Sequence, residues 1–357
     1  MSEITVLMAT YNRAKDLLRV LQAYDQQTTP ALFELLVVDD ASQDDTQAVL
    51  HAYQPRRYSL RVERMEKNSG QGQARNRAIP LAASPLILFT GDDMLPEPTF
   101  LEAHLAAHRR YPDEKVAILG RVSWPHDLPV NALMAHIDGV GAEQFSYYYL
   151  RNEHEYDFRH LYTSNVSLHR SLLLQEKHWF DPDFVMYGYE DAELGYRLSQ
   201  RGLRILYSTL PLVYHYHYHT VHTFAKRQYK AGRMACVFVR KHPETADLIL
   251  GRRFARLQVG LLQAASRFLP PPDGSAARLE KDVLTLASAY EWNPNPLTDQ
   301  LFQLVLMYFF NKGIIDGMMN SSKYLARAQD YYARRVLTRI TSWFTHRAAE
   351  SGIPVPL

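Results

Sequence analysis

Two aspartates stand side by side in Gly91-Asp92-Asp93, at the end of the apolar run Leu86 to Thr90. Adjacent carboxylates repel each other, so the pair is a poor structural choice unless positive charge sits between them. A divalent cation bridging a diphosphate would supply that charge, although paired aspartates also occur by chance. In Tyr214-His215-Tyr216-His217-Tyr218-His219 the residue types alternate, so an extended segment puts all three imidazoles on one face. Imidazole suits a transition-type cation such as manganese. An exposed strand edge would look the same, and that plainer reading is preferred for His219 and His222. In Tyr187-Gly188-Tyr189-Glu190-Asp191, Asp191 falls at the start of a helical pattern. There the dipole would keep it ionised, able to accept a proton from an attacking hydroxyl; a plain N-cap is the alternative. Near the N-terminus, a carboxylate of Asp39-Asp40 could accept a hydrogen bond from a nucleobase ring N–H, and Tyr11 of Ala9-Thr10-Tyr11-Asn12 could cover the base face. Capped turns with solvated acids account for either cluster taken singly.

These clusters follow segments that alternate between strand-like and helix-like, the signature of βαβ units winding a parallel sheet. Strands are predicted over Ile4 to Ala9, Phe33 to Val38, Leu60 to Met65, Leu86 to Thr90 and Val116 to Val122. Leu17, Leu18, Leu21 and Tyr24 recur at helical spacing, Ser42 with Asp45 reads as a capping-box-like helix start, and Gly70 to Ala83 reads as loop then helix. Pro96 and Pro98 introduce a helix through Tyr111. Residues 124–162 are aromatic and irregular, an insertion that could shape a pocket, before extended character resumes at Ser164 to Leu168. A helix from Glu190 to Arg201 is stopped by Gly202, with short strands at Ile205 and Leu212. Beyond His219 nearly everything reads helical, split into two bundles at Pro270 to Pro272. Acidic clusters at strand ends are where open α/β sheets bind ligands.

Taken together and in this order, the clusters resemble the inverting glycosyltransferases of family 2, which have the nucleotide-sugar fold called GT-A. The resemblance runs through nearly all of residues 3–235 and rests on VLMATYNR, VVDDASQDDT, NSGQGQARNRA, ILFTGDDMLPEP, SNVSLHR, GYEDAELGYRLSQRG and VYHYH. It implies an α/β, GT-A type domain with a mostly parallel central sheet over residues 1–219, followed by a C-terminal all-helical region over 220–357. It also implies transfer of a sugar from a nucleoside-diphosphate sugar, a UDP-sugar favoured, to a hydroxyl of a saccharide or glycoconjugate, with Mn2+ or Mg2+ as cofactor. By the same resemblance Asp40 would hold the base, Tyr11 would stack on it, and Thr10 and Arg13 would line the nucleotide-sugar pocket. Asp92 would bind the ribose or the metal shell, Arg75 would lie near the diphosphate, and Asp191 would be the general base. Asn165, Gly188 and Glu190 would fall on the acceptor side. Many members carry a further acid in the strand-end motif where this chain has Gly91, so metal binding must lean on Asp93 and a distal ligand. His215 is the first choice for that ligand and His217 the second.

At 357 residues, 46% hydrophobic and 22% charged, the composition is that of a folded globular protein with room for two domains. The single cysteine, Cys236, excludes an internal disulfide. With an N-terminus lacking a basic, apolar secretory pattern, this leads to an expected cytoplasmic location. The most apolar stretch, Leu301 to Phe310, stops at Asn311-Lys312, short of the roughly 18–20 residues a spanning helix needs. Charge is unevenly spread: residues 1–219 hold 21 Lys and Arg against 28 Asp and Glu, and residues 220–357 hold 19 against 10. A basic helical region could meet the inner face of the cell membrane peripherally, or pair with a second copy; no nucleic-acid partner is expected. A nucleotidyltransferase would want a Gly-rich loop after the first strand, where Tyr11-Asn12-Arg13 stands. A dinucleotide-dependent oxidoreductase would want Gly-x-Gly-x-x-Gly there, whereas Gly70-Gln71-Gly72 comes late and lacks the third glycine. The remaining rival is a nucleotide-sugar-binding protein of the same fold without turnover.

Overall fold

The computed structural model describes residues 2–251, 259–320 and 322–355. Its strands are β1 (Ile4–Thr10), β2 (Phe33–Asp39), β3 (Ser59–Arg64), β4 (Leu86–Gly91), β5 (Met94–Pro96), β6 (Val116–Ser123), β7 (His154–Tyr156), β8 (Asn165–His169) and β9 (Arg204–His215). Its helices are α1 (Ala14–Asp25), α2 (Thr46–Ala52), α3 (Gln71–Ala78), α4 (Phe100–Arg110), α5 (Ala132–Asp138), α6 (Arg170–Leu173), α7 (Glu190–Ser199), α8 (Val221–Lys241), α9 (Ala246–Leu250), α10 (Val259–Ser266), α11 (Ser275–Ser288), α12 (Pro296–Met319) and α13 (Leu325–Glu350). The helical expectation for 252–258 lies outside the described residues.

The chain divides into two compact units. The first comprises Met1–Leu128, Tyr149–Val185 and Glu190–His217; the second comprises Pro129–Tyr148, Met186–Tyr189 and Tyr218–Leu357. The division cuts through the irregular region 124–162, whose middle, with α5, belongs to the second unit.

The first unit is the α/β fold, built on one sheet in the order β3-β2-β1-β4-β8-β6-β9-β5, with β7 on β9. Strands β3, β2, β1 and β4 are all parallel. The sheet then becomes mixed, because β8 runs antiparallel to both β4 and β6 while β9 is parallel to β6. Val6, Leu7, Met8 and Leu35 to Val38 are fully buried, as continuous apolar runs must be in strands covered on both faces. On α1, Leu17, Leu21 and Tyr24 face inward and Leu18 faces solvent.

Two details fix the sheet edge where the ligand-type residues gather. First, Ser42 does not cap a helix. Its Oγ accepts the N–H of Asn12 at 2.9 Å, and Thr46 Oγ1 accepts the N–H of Arg13 at 2.9 Å, so the loop after β2 is stitched to the loop after β1. Second, the β6–β9 ladder slips register between Leu119 and Arg121. The Asn165 amide fills the slip, donating to the carbonyls of Arg121 (3.0 Å) and Pro211 (2.9 Å). A Cβ on Gly120 would meet that amide at 2.4 Å. Asn165 Oδ1 therefore accepts from His104 Nε2 at 2.9 Å, which leaves His104 Nδ1 to accept from Ser167 and the Ser167 oxygen to accept from His108 Nε2. Burial pushes His104 down to about 4 and His108 down to about 3, so both rings are neutral links in an internal chain.

The second unit is helical. Thr220 with Thr223, and Asn295 with Thr298, form reciprocal caps at the starts of α8 and α12. These two helices cross with backbones in near contact: a Cβ on Gly232 would lie 2.0 Å from the Phe310 carbonyl oxygen, and one on Gly313 would lie 2.1 Å from that of Tyr229. Among the described residues no helix is long and apolar enough to cross a membrane. Gly313→Ala is expected to force the crossing apart and cost about 1–3 kcal/mol, read as a fall in melting temperature. A variant that melts with the wild type would contradict the close approach.

Candidate active site

The parallel strands of the first unit end along one edge of the sheet, and β9 ends there too. Thr10 closes β1 and is buried, while Tyr11 just beyond it is exposed. Asp40, after β2, is buried, and its two carboxylate oxygens accept the main-chain N–H groups of Ser69 (2.8 Å) and Gly70 (2.7 Å). That contact fixes the start of α3. Gly70 at φ 88° makes the turn, a conformation that favours glycine.

Helix α3 carries Gln71 and Arg75 one turn apart on one face. Gln71 Nε2 donates to Glu190 Oε1 at 2.6 Å. The Arg75 guanidinium is buried at 5% exposure beside the ring of Phe180, and its Nε and Nη1 have no hydrogen-bond partner among the described residues. Burial lowers its pKa, against the opposing charges of Glu190, Asp191 and Asp92. Asp191 lies in the first turn of α7, where its Oδ1 accepts the Ala192 N–H at 2.8 Å. The sequence led us to expect an ionised carboxylate held by the helix dipole. Instead burial and the adjacent Glu190 charge push Asp191 up to about 7, overcoming the Ala192 amide, Arg75 and the Thr163 amide. Desolvation and a like charge next door outweigh half a unit of dipole charge.

Asp92 and Asp93 form the tight turn between β4 and β5. Strand β5 pairs antiparallel with the end of β9, with Met94 opposite His215, and the Tyr216 N–H donates to the Asp93 carbonyl at 2.8 Å. This register delivers both histidines to one carboxylate: His215 Nε2 lies 3.4 Å and His217 Nδ1 3.5 Å from Asp93 Oδ2. Ligand atoms of Asp93, His215 and His217 all fall within 4.8 Å of one another. One carboxylate oxygen and two imidazole nitrogens at this spacing fit a divalent transition-type cation. Trp124 stacks on His215 with ring centroids 5.4 Å apart. Arg13 reaches the same acids, with Nη2 3.0 Å from Asp93 Oδ2 and Nε 3.5 Å from Asp92 Oδ1. Burial opposes ionisation of Asp93, yet His215, His217 and Arg13 hold it well below the usual carboxylate range. Asp92, pushed up to about 6 by burial and by Asp93, takes the opposite course.

The first unit thus brings together Thr10, Tyr11, Arg13, Arg75, Asp92, Asp93, Glu190, Asp191, His215 and His217. Asn165, expected on the acceptor side, is wholly internal, its amide spent on the β6–β9 slip. Gly188 belongs to the second unit, where its φ is 106° and a Cβ would meet Ala231 at 3.2 Å. His219, expected on an exposed strand edge, is buried against Phe224 in the second unit, because the strand stops at His215. Gln71 was missed by the sequence reading. Its only local signal is a place one helical turn before Arg75.

Residues 5–175 match the family model described as Glycosyl transferase family 2. A validoxylamine A glucosyltransferase of Streptomyces hygroscopicus subsp. limoneus is 30% identical over 56% of this chain and 48% of its own length. The chain spans about half the length of the curated relatives it matches. Among solved structures, S. aureus TarS 1-349 in complex with UDP aligns with 94% of this chain and 92% of its own at 17% identity and a TM-score of 0.52. The mannosyltransferase PcManGT of Pyrobaculum calidifontis, in complex with GDP-Man and Mn2+, aligns with 90% and 88% at 15% identity and a TM-score of 0.57. Those two likenesses are of fold. The match to the Glycosyl transferase family 2 model runs from β1 to β8 and takes in both strand-end acid clusters, so over residues 5–175 the chain is similar to that family.

Proposed function

We propose that the chain is an inverting glycosyltransferase that moves a sugar from a nucleoside-diphosphate sugar, a UDP-sugar favoured, to a hydroxyl of a saccharide or glycoconjugate. The observation that carries this reading is Arg75, a buried guanidinium with two donors that have no acceptor among the described residues. Buried donors of this kind call for an anion, and a diphosphate is the anion such donors bring. The relatives named above support the class of reaction.

Thr10 and the exposed Tyr11 would receive the nucleoside, with Asp40 holding the loop that launches α3. Arg75 and Arg13 would face the diphosphate, with Asp92 toward the ribose. Asp93 and His215, with His217, would hold a divalent cation; two imidazoles favour Mn2+ over Mg2+, which prefers an all-oxygen shell. When bound, that cation would offset the diphosphate's negative charge. Asp191 would take the proton of the acceptor hydroxyl as its oxygen attacks the anomeric carbon. The sugar–phosphate bond breaks, its electron pair leaves on the nucleoside diphosphate, and a single displacement inverts the centre. An affinity near 7 suits a base working at neutral pH. The basic balance after His219 and the single cysteine are what support a cytoplasmic location, peripheral at the inner face of the cell membrane.

Asp191→Asn is expected to keep donor binding while transfer falls about 100- to 10,000-fold. Its stability gives an independent readout. The folded pKa, about 7, lies above the ordinary 3.8, so the group's stabilising effect is full below 3.8 and is lost as pH rises toward 7. The variant should therefore melt no lower than the wild type at pH 8. Near-normal transfer by the variant would assign the base elsewhere, to Glu190 first. In the wild type, the rate at saturating substrate should fall about tenfold per pH unit below about 7 as Asp191 is protonated. A rate flat from pH 5 to pH 8 would remove Asp191 from the reaction.

A further inference from the structure

Three nitrogens from different parts of the first unit converge on a single oxygen. Asp93 Oδ2 lies 3.0 Å from Arg13 Nη2, 3.4 Å from His215 Nε2 and 3.5 Å from His217 Nδ1. Both imidazoles can turn a lone pair toward a cation. Arg13 cannot, since a guanidinium carries donors only and remains charged. An ion on Asp93 and the Arg13 guanidinium at its present place are two positive charges competing for one carboxylate oxygen.

Arg13 is built to move. Its main chain is pinned by the N–H bond to Thr46 Oγ1, but the side chain is 27% exposed and its other contacts are looser. Nε lies 3.5 Å from Asp92, and Nη1 lies 3.7 Å from Asp16, a half-exposed acid in the first turn of α1. Swinging about its fixed backbone, the guanidinium can leave Asp93 without losing every acidic neighbour.

We propose that Arg13 is a displaceable counter-ion: it neutralises the Asp92–Asp93 pair before the divalent cation arrives, competes with that cation for Asp93, and once displaced becomes a donor for the diphosphate. This rests on the cation and nucleotide reading of the site given above. Its consequence is coupling. Cation binding releases Arg13 to the nucleotide, and nucleotide binding removes the cation's competitor, so each tightens the other by the same factor.

The test is calorimetric titration of Mn2+ into the full chain, alone and with saturating UDP, for the wild type, Arg13→Gln and Asp93→Asn. Arg13→Gln should bind Mn2+ alone about three- to tenfold more tightly, the size of one partly exposed ion pair. UDP should then enhance its Mn2+ binding less than it does for the wild type. Arg13→Lys, which keeps charge without the planar fork, should fall between them. The melting temperature supplies a second measurement: Arg13→Gln should melt lower without metal and gain more on adding Mn2+. If Arg13→Gln binds Mn2+ no more tightly than the wild type while Asp93→Asn abolishes binding, the cation site stands and the role of Arg13 is overturned. If the wild type shows no Mn2+ binding that Asp93→Asn removes, the cation site itself is wrong and this inference falls with it.

Discussion

The candidate site depends on the pairing of a three-residue strand. Strand β5 is only Met94-Leu95-Pro96, too short to be marked by periodicity, yet its antiparallel contact with the last residues of β9 sets Met94 opposite His215. The bond from the Tyr216 N–H to the Asp93 carbonyl then continues the ladder one step into the turn. Without that register, Asp93 after β4 and His215 at the end of β9 would stand on strands separated by β8 and β6. A slip by one position would turn the histidines to the other face of the sheet. The internal chain from Asn165 through His104 and Ser167 to His108 serves the same end, because it fixes the irregular stretch of β9 that precedes His215.

Around this edge the acids have been driven apart in character. Asp93 is held ionised by two imidazoles and a guanidinium, whereas its neighbour Asp92 is pushed up to about 6 and Asp191 to about 7. Two carboxylates that share a site cannot both ionise cheaply, and the one nearest the positive groups wins. The arrangement separates a ligand-like carboxylate from a base-like one within one unit. Arg75 stands among Asp92, Glu190 and Asp191, buried and with donors left over. Helix α3 holds it there because Asp40 grips the loop ahead of it.

Much of this was legible in the sequence. The apolar runs of β1, β2, β4 and β6 announce themselves, and the acids at their ends follow directly. What could not be read was tertiary. The three residues of β5 carry no periodicity, so the sequence offered Asp93 and His215 as candidates but no reason for them to meet. Alternation in Tyr214 to His219 suggested three histidines on one face, and only the end of β9 at His215 separates His219 from the other two. Asn165 was expected on the acceptor side, but the register shift in the β6–β9 ladder, where β9 carries the extra residues, gave its amide two carbonyls to satisfy. Ser42 looked like a helix cap until the loop after β1 supplied a nearer amide.

We propose that the β5–β9 pairing makes a cation site of Asp93, His215 and His217. Pulsed electron paramagnetic resonance of Mn2+ added to the protein tests it most directly, because directly bound imidazole nitrogen modulates the manganese signal. Nitrogen coupling from two histidines is expected, reduced in His215→Ala and lost with the bound signal in Asp93→Asn. Bound manganese without nitrogen coupling, or with coupling unchanged in His215→Ala, would contradict it.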